Sequence, residues 1–418
     1  MDILKIATAG SVDDGKSTLI GRLLYETKSI TKDKIEALEI ASKRKGLDFV
    51  DLSLLTDGLI AEREQGITID VAHIYFNTPQ RKYIIADTPG HFEYTRNMVT
   101  GASNAAVSVI LVDARNGISE QTKRHFYIAS LLRVKEVIVA INKMDLVDYG
   151  EEHFKEIRAE FLSTVGKANF TEQHITFIPL SSLYGENIVE VSPKMSWYKG
   201  QSLLQHLEGI ELDKVSHNSS ALPARFAVQY VIRPKTEEFH DYRGYAGRLA
   251  SGELSVGDLM QVHPSGQVSN IKTIETFGKQ LEYAKAGDSV TLTLETDIDV
   301  SRGNMLTKAN EAIDPQKALK ARICWLDNQS LMAGKTYLLQ HGVNLQKAKV
   351  TALNSVMNIE TMQLEETRNE LKLNEIGYVE LKTAQPLFTD TYESNPANGS
   401  FILIDSMTNS TVGVGFVY

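Results

Sequence analysis

The segment Gly10-Ser-Val-Asp-Asp-Gly15-Lys16-Ser17 constrains this chain more than any other feature. It matches GxxxxGK(S/T), directly follows the apolar run Leu4–Ala9, and opens an amphipathic helical window, Lys16–Tyr25. A strand feeding a helix through such a loop implies a parallel α/β sheet, with a polyphosphate held where the strand ends. The glycines let backbone N–H groups turn inward, Lys16 meets β- and γ-phosphate oxygens, and the Ser17 hydroxyl suits magnesium. The alternative, an ordinary Gly-rich turn, leaves the strand–loop–helix context unexplained. A second G-K-T ending, Gly334-Lys335-Thr336, has Gln329 at the first glycine position and leads into a strand-like run, so it reads as a β-turn.

The first half of the chain continues that pattern. Ile67–Phe76, Lys82–Asp87, Val107–Asp113, Val137–Asn142 and Ile175–Leu180 read as strands, with helical windows at Tyr94–Ala102, Glu120–Leu132 and Glu151–Val165. This predicts a P-loop α/β domain over residues 1–212, a mostly parallel sheet with helices on both faces. Past the polar stretch Lys214–Ser220 the helical windows nearly vanish. Short runs at Phe226–Ile232, Tyr245–Ala250, Leu259–His263, Ser269–Thr276 and Val290–Glu295 predict a β-barrel over residues 222–310. After a second polar break, Asn310–Gln316, come Ala321–Leu326, Thr336–His341, Ala348–Ile359, Gly377–Lys382 and Phe401–Met407. They predict a second barrel over residues 316–418.

Two further motifs follow the phosphate loop in a telling order. Asp87-Thr88-Pro89-Gly90 closes a strand, placing a carboxylate near magnesium and a glycine amide near a γ-phosphate. A second DxxG, Asp241–Gly244, lies in the β-rich region and reads as a turn. Asn142-Lys143-Met144-Asp145 ends a strand where a nucleotide base would lie. The Asp145 carboxylate can accept from guanine N1–H and the 2-amino group together. Adenine would leave it unpaired, so the site discriminates by orders of magnitude. Asn142 would tie neighbouring loops and reach N7, and the Lys143 stem would cover the base; taken alone, the motif could be a helix N-cap. The amides of Ser181-Ser182-Leu183 suit the guanine carbonyl. Thr68 could complete a magnesium shell, although it also fits a plain alternating strand. His91, just after Gly90, is placed to orient an attacking water. The other histidines, His73 and His125 among them, read as surface or satisfied core residues, and Trp197 and Trp325 as packing residues.

Composition sets the remaining bounds. The 53 acidic and 44 basic residues give a formal charge of −9, which offers no general coat for polyanions. A single cysteine, Cys324, rules out a disulfide within the chain and points to a reducing cytoplasm. The N-terminus reads as no signal peptide, and no apolar run approaches the roughly 20 residues of a membrane span.

The order phosphate loop, DxxG, NKxD resembles the translation-factor class of GTPases, including a Gly244-Tyr-Ala-Gly-Arg-Leu-Ala-Ser-Gly252 run like that class's second domain. Within it, Gly10–Leu24, Asp57–Asp70 and Asp87–Met98 are similar to the large-subunit family of two-subunit bacterial ATP sulfurylases. Asp14 stands where translation factors usually have His or Ser, and Gln65-Gly66 where they have Arg-Gly. The resemblance implies GTP hydrolysis coupled to adenosine 5′-phosphosulfate formation on a partner small subunit, with Mg2+ held by Ser17, Thr68 and Asp87. It implies a GTP set of Gly10, Ser11, Val12, Asp13, Asp14, Gly15, Lys16, Ser17 and Thr18, with Asp87 to His91, Asn142 to Asp145 and Ser181 to Leu183. It further implies that Val12 and Ile67 gate His91 and that Asp13 organises the loop. No Ser-Gly-Gly-rich pyrophosphatase-type loop, His-x-Gly-His or second GxxxxGK(S/T) is present. Neither adenylyl transfer nor an adenylylsulfate kinase is therefore expected on this chain. A tRNA-delivering factor and a GTP-timed switch remain the alternatives.

Overall fold

Two runs of β-branched residues, β4 (Val107–Asp113) and β5 (Glu136–Asn142), are buried at every position and sit inside a six-stranded sheet. Continuous apolar runs of this kind suit strands covered on both faces. Around them lie β1 (Ile3–Ala9), β2 (Ala72–Asn77), β3 (Lys82–Asp87) and β6 (His174–Pro179), in the order β2-β3-β1-β4-β5-β6. Only β2 runs antiparallel to its neighbour. Among the described residues the α-helices are α1 (Lys16–Glu26), α2 (Lys32–Arg44), α3 (Thr95–Ala102), α4 (Glu120–Leu131), α5 (Glu151–Lys167) and α6 (Leu203–Gly209). One core of the domain joins Leu19, Ile20 and Leu23 of α1 to Leu4, Ile6, Val109 and Ile138 of the sheet. Another joins Phe161 of α5 to Val137, Val139 and Phe177.

This computed structural model describes residues 2–44, 46, 50–55, 71–90, 95–167, 173–212, 219–234, 242–311 and 313–418. They form two compact units, one built on the α/β domain and one on two barrels. Among the described residues, no helix is long and apolar enough to cross a membrane.

In the first barrel, Leu259–His263, Met305–Lys308, Arg225–Ile232, Gly244–Ser251, Ser289–Leu294 and Val268–Thr276 pair in that order, and the last pairs back with the first. In the second, Thr336–His341, Ser400–Ile404, Thr411–Val417, Gln316–Trp325, Ile376–Leu387 and Asn344–Asn358 close in the same way. Closure removes the free edges that would otherwise template aggregation. Trp325 and Tyr337 meet edge to face in the second core, their ring centroids 5.4 Å apart.

Several expected boundaries move. The break Asn310–Gln316 is shorter, because Gln316 already pairs with Leu387. Phe401–Met407 stops at Ile404, where the Asp405 side chain accepts from the N–H groups of Met407 and Thr408 and turns the chain. The barrel strands Met305–Lys308 and Thr411–Val417 have no counterpart among the expected runs. The first is four residues long and the second is interrupted by Gly413 and Gly415, so neither has a clear period. The described part of the expected strand Ile67–Phe76 begins at Ala72; residues 67–70 lie outside the described residues, as does Asp241 of the second DxxG. Gly334 has φ 90°, as a turn requires.

A half-buried carboxylate is among the links between the two barrels. Asp390 Oδ1 and Oδ2 each accept from the Arg225 guanidinium at 3.1 Å, and Oδ2 also accepts from Asn395 at 3.0 Å and Asn398 at 2.9 Å. Removing the guanidinium takes two charge-assisted hydrogen bonds from that carboxylate, so Arg225→Ala should lower the stability of the barrel unit by about 2 kcal/mol. Denaturant unfolding monitored through Trp325 checks this.

Candidate guanine-nucleotide site

All four loops singled out from the sequence emerge from the C-terminal edge of the sheet, where ligands of such folds bind. The loop after β1 is shaped by two residues with left-handed backbone, Asp13 at φ 67° and Gly15 at φ 91°. Gly15 precedes the first helical residue, and no side chain caps α1. The orphan N–H groups of the first turn are left for an anion. Ser11 N–H donates to Asp14 Oδ2 at 2.6 Å and Asp14 N–H returns to Ser11 O at 3.2 Å, closing the loop on itself. Val12 and Asp13 face solvent, while Asp14 and Lys16 are buried.

Lys16 reaches across the cradle to ion-pair with Asp87 at the end of β3, and both groups are buried. Thr8 Oγ1 donates to the same Asp87 oxygen at 3.2 Å, and Thr88 Oγ1 donates to Thr8 O at 2.6 Å. Pro89 is buried behind them. A methyl group on Gly90 would overlap Gly10 O, so a glycine is required where the DxxG loop meets the phosphate loop. Asp87 and the half-buried Ser17 offer hard oxygen donors of the kind magnesium takes.

Asn142 is 1% exposed and both ends of its amide are engaged. Nδ2 donates to Asp14 O at 2.7 Å, while Oδ1 accepts from Ser182 N at 2.9 Å and Ser182 Oγ at 3.0 Å. Lys143, with φ 62°, donates to Asp13 O and pairs with Asp113 at 3.0 Å. Met144 is fully buried and Asp145 half-buried, with Ser181 Oγ donating to Asp145 Oδ1 at 2.5 Å. Beside these groups lies a cavity of about 450 Å³ lined by Gly15, Thr18, Lys143, Asp145, Ser182 and Leu183, and also by Arg22, Val50 and Leu52.

Not all of the expected residues are placed. Ile67, Thr68 and His91 lie outside the described residues. Conversely, Arg22 joins the site with no motif to mark it: its guanidinium donates to the carbonyls of Ser182 and Leu183 from the face of α1. Asp113 joins it too, held by Arg115 in a two-point contact. Burial alone would raise the Asp113 carboxyl, but Arg115 and Lys143 outweigh it and bring it down to about 2. Its position at the end of β4 was the available signal. Ser119 is a third: it caps α4 through Thr122 N–H and lies 3.0 Å, Oγ to Oγ, from Ser11 of the phosphate loop.

With this geometry in view, residues 1–212 match the elongation factor Tu GTP binding domain family, and residues 318–418 match the GTP-eEF1A C-terminal domain-like family. Sulfate adenylyltransferase subunit 1 of Psychromonas ingrahamii is 47% identical over 100% of this chain and 87% of its own, and that of Bacteroides fragilis 47% over 100% and 86%. The chain belongs to the sulfate adenylyltransferase subunit 1 family. A bifunctional enzyme CysN/CysC of Mycobacterium tuberculosis is 46% identical over 99% of this chain and 67% of its own.

His125 departs from the expected satisfied core residue. It is buried on α4, with Nε2 3.0 Å from Gln121 Nε2, and its Nδ1 has no partner among the described residues. Burial, with help from the Arg124 and Lys16 cations, pushes it down to about 3, so the folded chain holds it neutral. Unfolding releases it to its ordinary value near 6.5, so its contribution is full above pH 6.5 and is lost as pH falls toward 3. His125→Gln should therefore flatten the stability loss between pH 6.5 and 4, which denaturant melts at stepped pH would reveal.

Proposed function

We propose that this chain is the GTP-hydrolysing subunit of a two-subunit sulfate adenylyltransferase. Its hydrolysis of GTP to GDP and phosphate drives the uphill reaction of ATP with sulfate, giving adenosine 5′-phosphosulfate and diphosphate on a separate small subunit. The observation that carries this reading is the grip of Asn142 on the phosphate loop and the Ser182 loop, in a chain that aligns end to end with subunit 1 proteins.

Each residue then has a physical task. The amides from Gly10 to Thr18 and the open end of α1 take the phosphates. Lys16 exchanges the Asp87 carboxylate for β- and γ-oxygens, a swap between anions that keeps the ammonium paired throughout. Ser17, Thr68 and Asp87 would hold Mg2+, which when bound neutralises charge on the β- and γ-phosphates. Gly90 sits against Gly10, and its N–H would meet the γ-phosphate, with Thr88 and Pro89 fixing the turn. His91 orients the attacking water, with Val12 and Ile67 as an apolar gate before it and Asp13 shaping the loop. Asp145 reads the guanine N1–H and 2-amino group, its carboxylate already oriented by Ser181. Asn142 reaches N7, the Lys143 stem covers one base face with Met144 anchoring the loop, and amides of Ser181, Ser182 and Leu183 meet the guanine oxygen.

Two substitutions separate these tasks. Asp145→Asn should move preference from guanosine to xanthosine triphosphate by about 10²-fold or more, because the amide pairs with the xanthine oxygen and mismatches the guanine amine. Retained guanine selectivity in competition binding would remove Asp145 from the base site. His91→Ala should slow single-turnover GTP hydrolysis by about 10²-fold while leaving GTP affinity near its starting value; equal losses in both would remove His91 from catalysis.

The subunit assignment is tested by mixing the chain with the adenylyltransferase small subunit and following GTP turnover with and without ATP plus sulfate. Turnover should rise at least about tenfold only when partner and both substrates are present. No response to them, with tight binding of aminoacyl-tRNA at physiological salt, would replace this reading by the translation-factor one.

A further inference from the structure

The phosphate loop contains a carboxylate that the tasks above leave unused. Asp14 is 6% exposed, in contrast to its exposed neighbours Val12 and Asp13. Its side chain turns beneath the loop: a Cβ on Gly10 would stand 3.5 Å from Asp14 Oδ2 and 3.1 Å from Leu111 Cβ of β4. Oδ2 accepts the Ser11 N–H at 2.6 Å, and the Asp14 carbonyl accepts Asn142 Nδ2 at 2.7 Å. One residue thus fixes both the first turn of the loop and its tie to the base loop.

The charges facing Asp14 leave it weakly balanced. Asp113, at the end of β4, adds a like charge, and the nearby cations are engaged elsewhere. Lys16 of α1 pairs with Asp87, Lys143 with Asp113 and the Asp13 carbonyl, and Arg115 with Asp113. Burial pushes the Asp14 carboxyl up to about 6, against the opposing Ser11 hydrogen bond and Lys143. A polyphosphate on the other side of the same loop adds several negative charges and disfavours the ionised carboxylate further.

We propose that Asp14 is a positioning residue that braces the phosphate loop through Ser11 and, by its buried charge, limits nucleotide affinity, so that GTP and GDP bind with uptake of a proton at this carboxylate. The proposal rests on reading the loop as a GTP site. Its consequence is a nucleotide hold weakened at neutral pH by a charge within the loop itself, which favours release of GDP after each turnover.

Calorimetric titrations of the full chain with Mg-GTP and Mg-GDP at pH 6, 7 and 8, each in two buffers of different ionisation heat, test it against Asp14→Asn and Asp14→Ala. Asn keeps an oxygen acceptor for Ser11 without the charge, and it supplies the baseline for titration of the nucleotide phosphates. The wild-type chain should take up a substantial fraction of a proton more than Asp14→Asn between pH 6 and 7, and should bind about tenfold more weakly than it at pH 8. Asp14→Ala, without the brace, should bind more weakly than Asp14→Asn at every pH. Matching proton uptake and pH profiles in wild type and Asp14→Asn would overturn the charge effect, and equal affinities of the Ala and Asn variants would overturn the brace. Failure of the wild-type chain to bind GTP at all would instead overturn the functional reading together with this proposal.

Discussion

The nucleotide cradle depends on one buried amide side chain. Asn142 gives its N–H to the phosphate loop and takes two donors from the Ser182 loop, so strands β1, β5 and β6 finish in a fixed relation at one edge of the sheet. At 1% exposure no solvent can replace these bonds, and losing the side chain would leave the Asp14 carbonyl and the Ser182 donors unsatisfied together. The close fit of Asn142 against Gly15, where a Cβ would overlap Nδ2, shows why the loop needs glycine at that position as well. Sequence, backbone conformation and site geometry meet at this contact.

The second constraint is electrostatic. Lys16 and Asp87 are both buried, and neither would be tolerated there alone, so they neutralise each other across the cradle. In the proposed reading, nucleotide and magnesium give each of them a new counter-charge. Phosphate loop and DxxG loop then change partners in concert. The Ser11–Ser119 contact extends the loop's reach to the cap of α4, which carries the buried His125 nearly two turns further on. The cradle is therefore joined to the N-terminus of α4 as well as to the base loop.

Much of this was legible in the sequence because the loops carry residue types with few alternatives. Gly15, Lys16, Asp87, Gly90 and the Asn142–Asp145 run come together at one edge of the sheet, and the central strands follow from unbroken apolar runs. Other parts could not be read. Arg22 looks like any polar residue on an amphipathic helix, and only the fold brings it to the Ser182 and Leu183 carbonyls. Thr411–Val417 carries two glycines, pressed against Trp325 and Phe401, and these erase its strand signature; it forms because the strands on either side supply the pairing. Gln316 reads as part of a polar break, yet its backbone pairs with Leu387, since a strand edge can carry polar side chains on its outer face.

The central claim is that GTP hydrolysis in this cradle supplies the free energy of sulfate activation, and the most direct measurement is the extent of that reaction at equilibrium. The chain and the small subunit are combined with ATP and sulfate, and adenosine 5′-phosphosulfate is quantified with GTP or with a non-hydrolysable GTP analogue. Coupling predicts accumulation well beyond the uncoupled equilibrium with GTP, in step with GDP formed, and no such excess with the analogue. The same final ratio of adenosine 5′-phosphosulfate to ATP in both mixtures, with GTP consumed, would contradict the account.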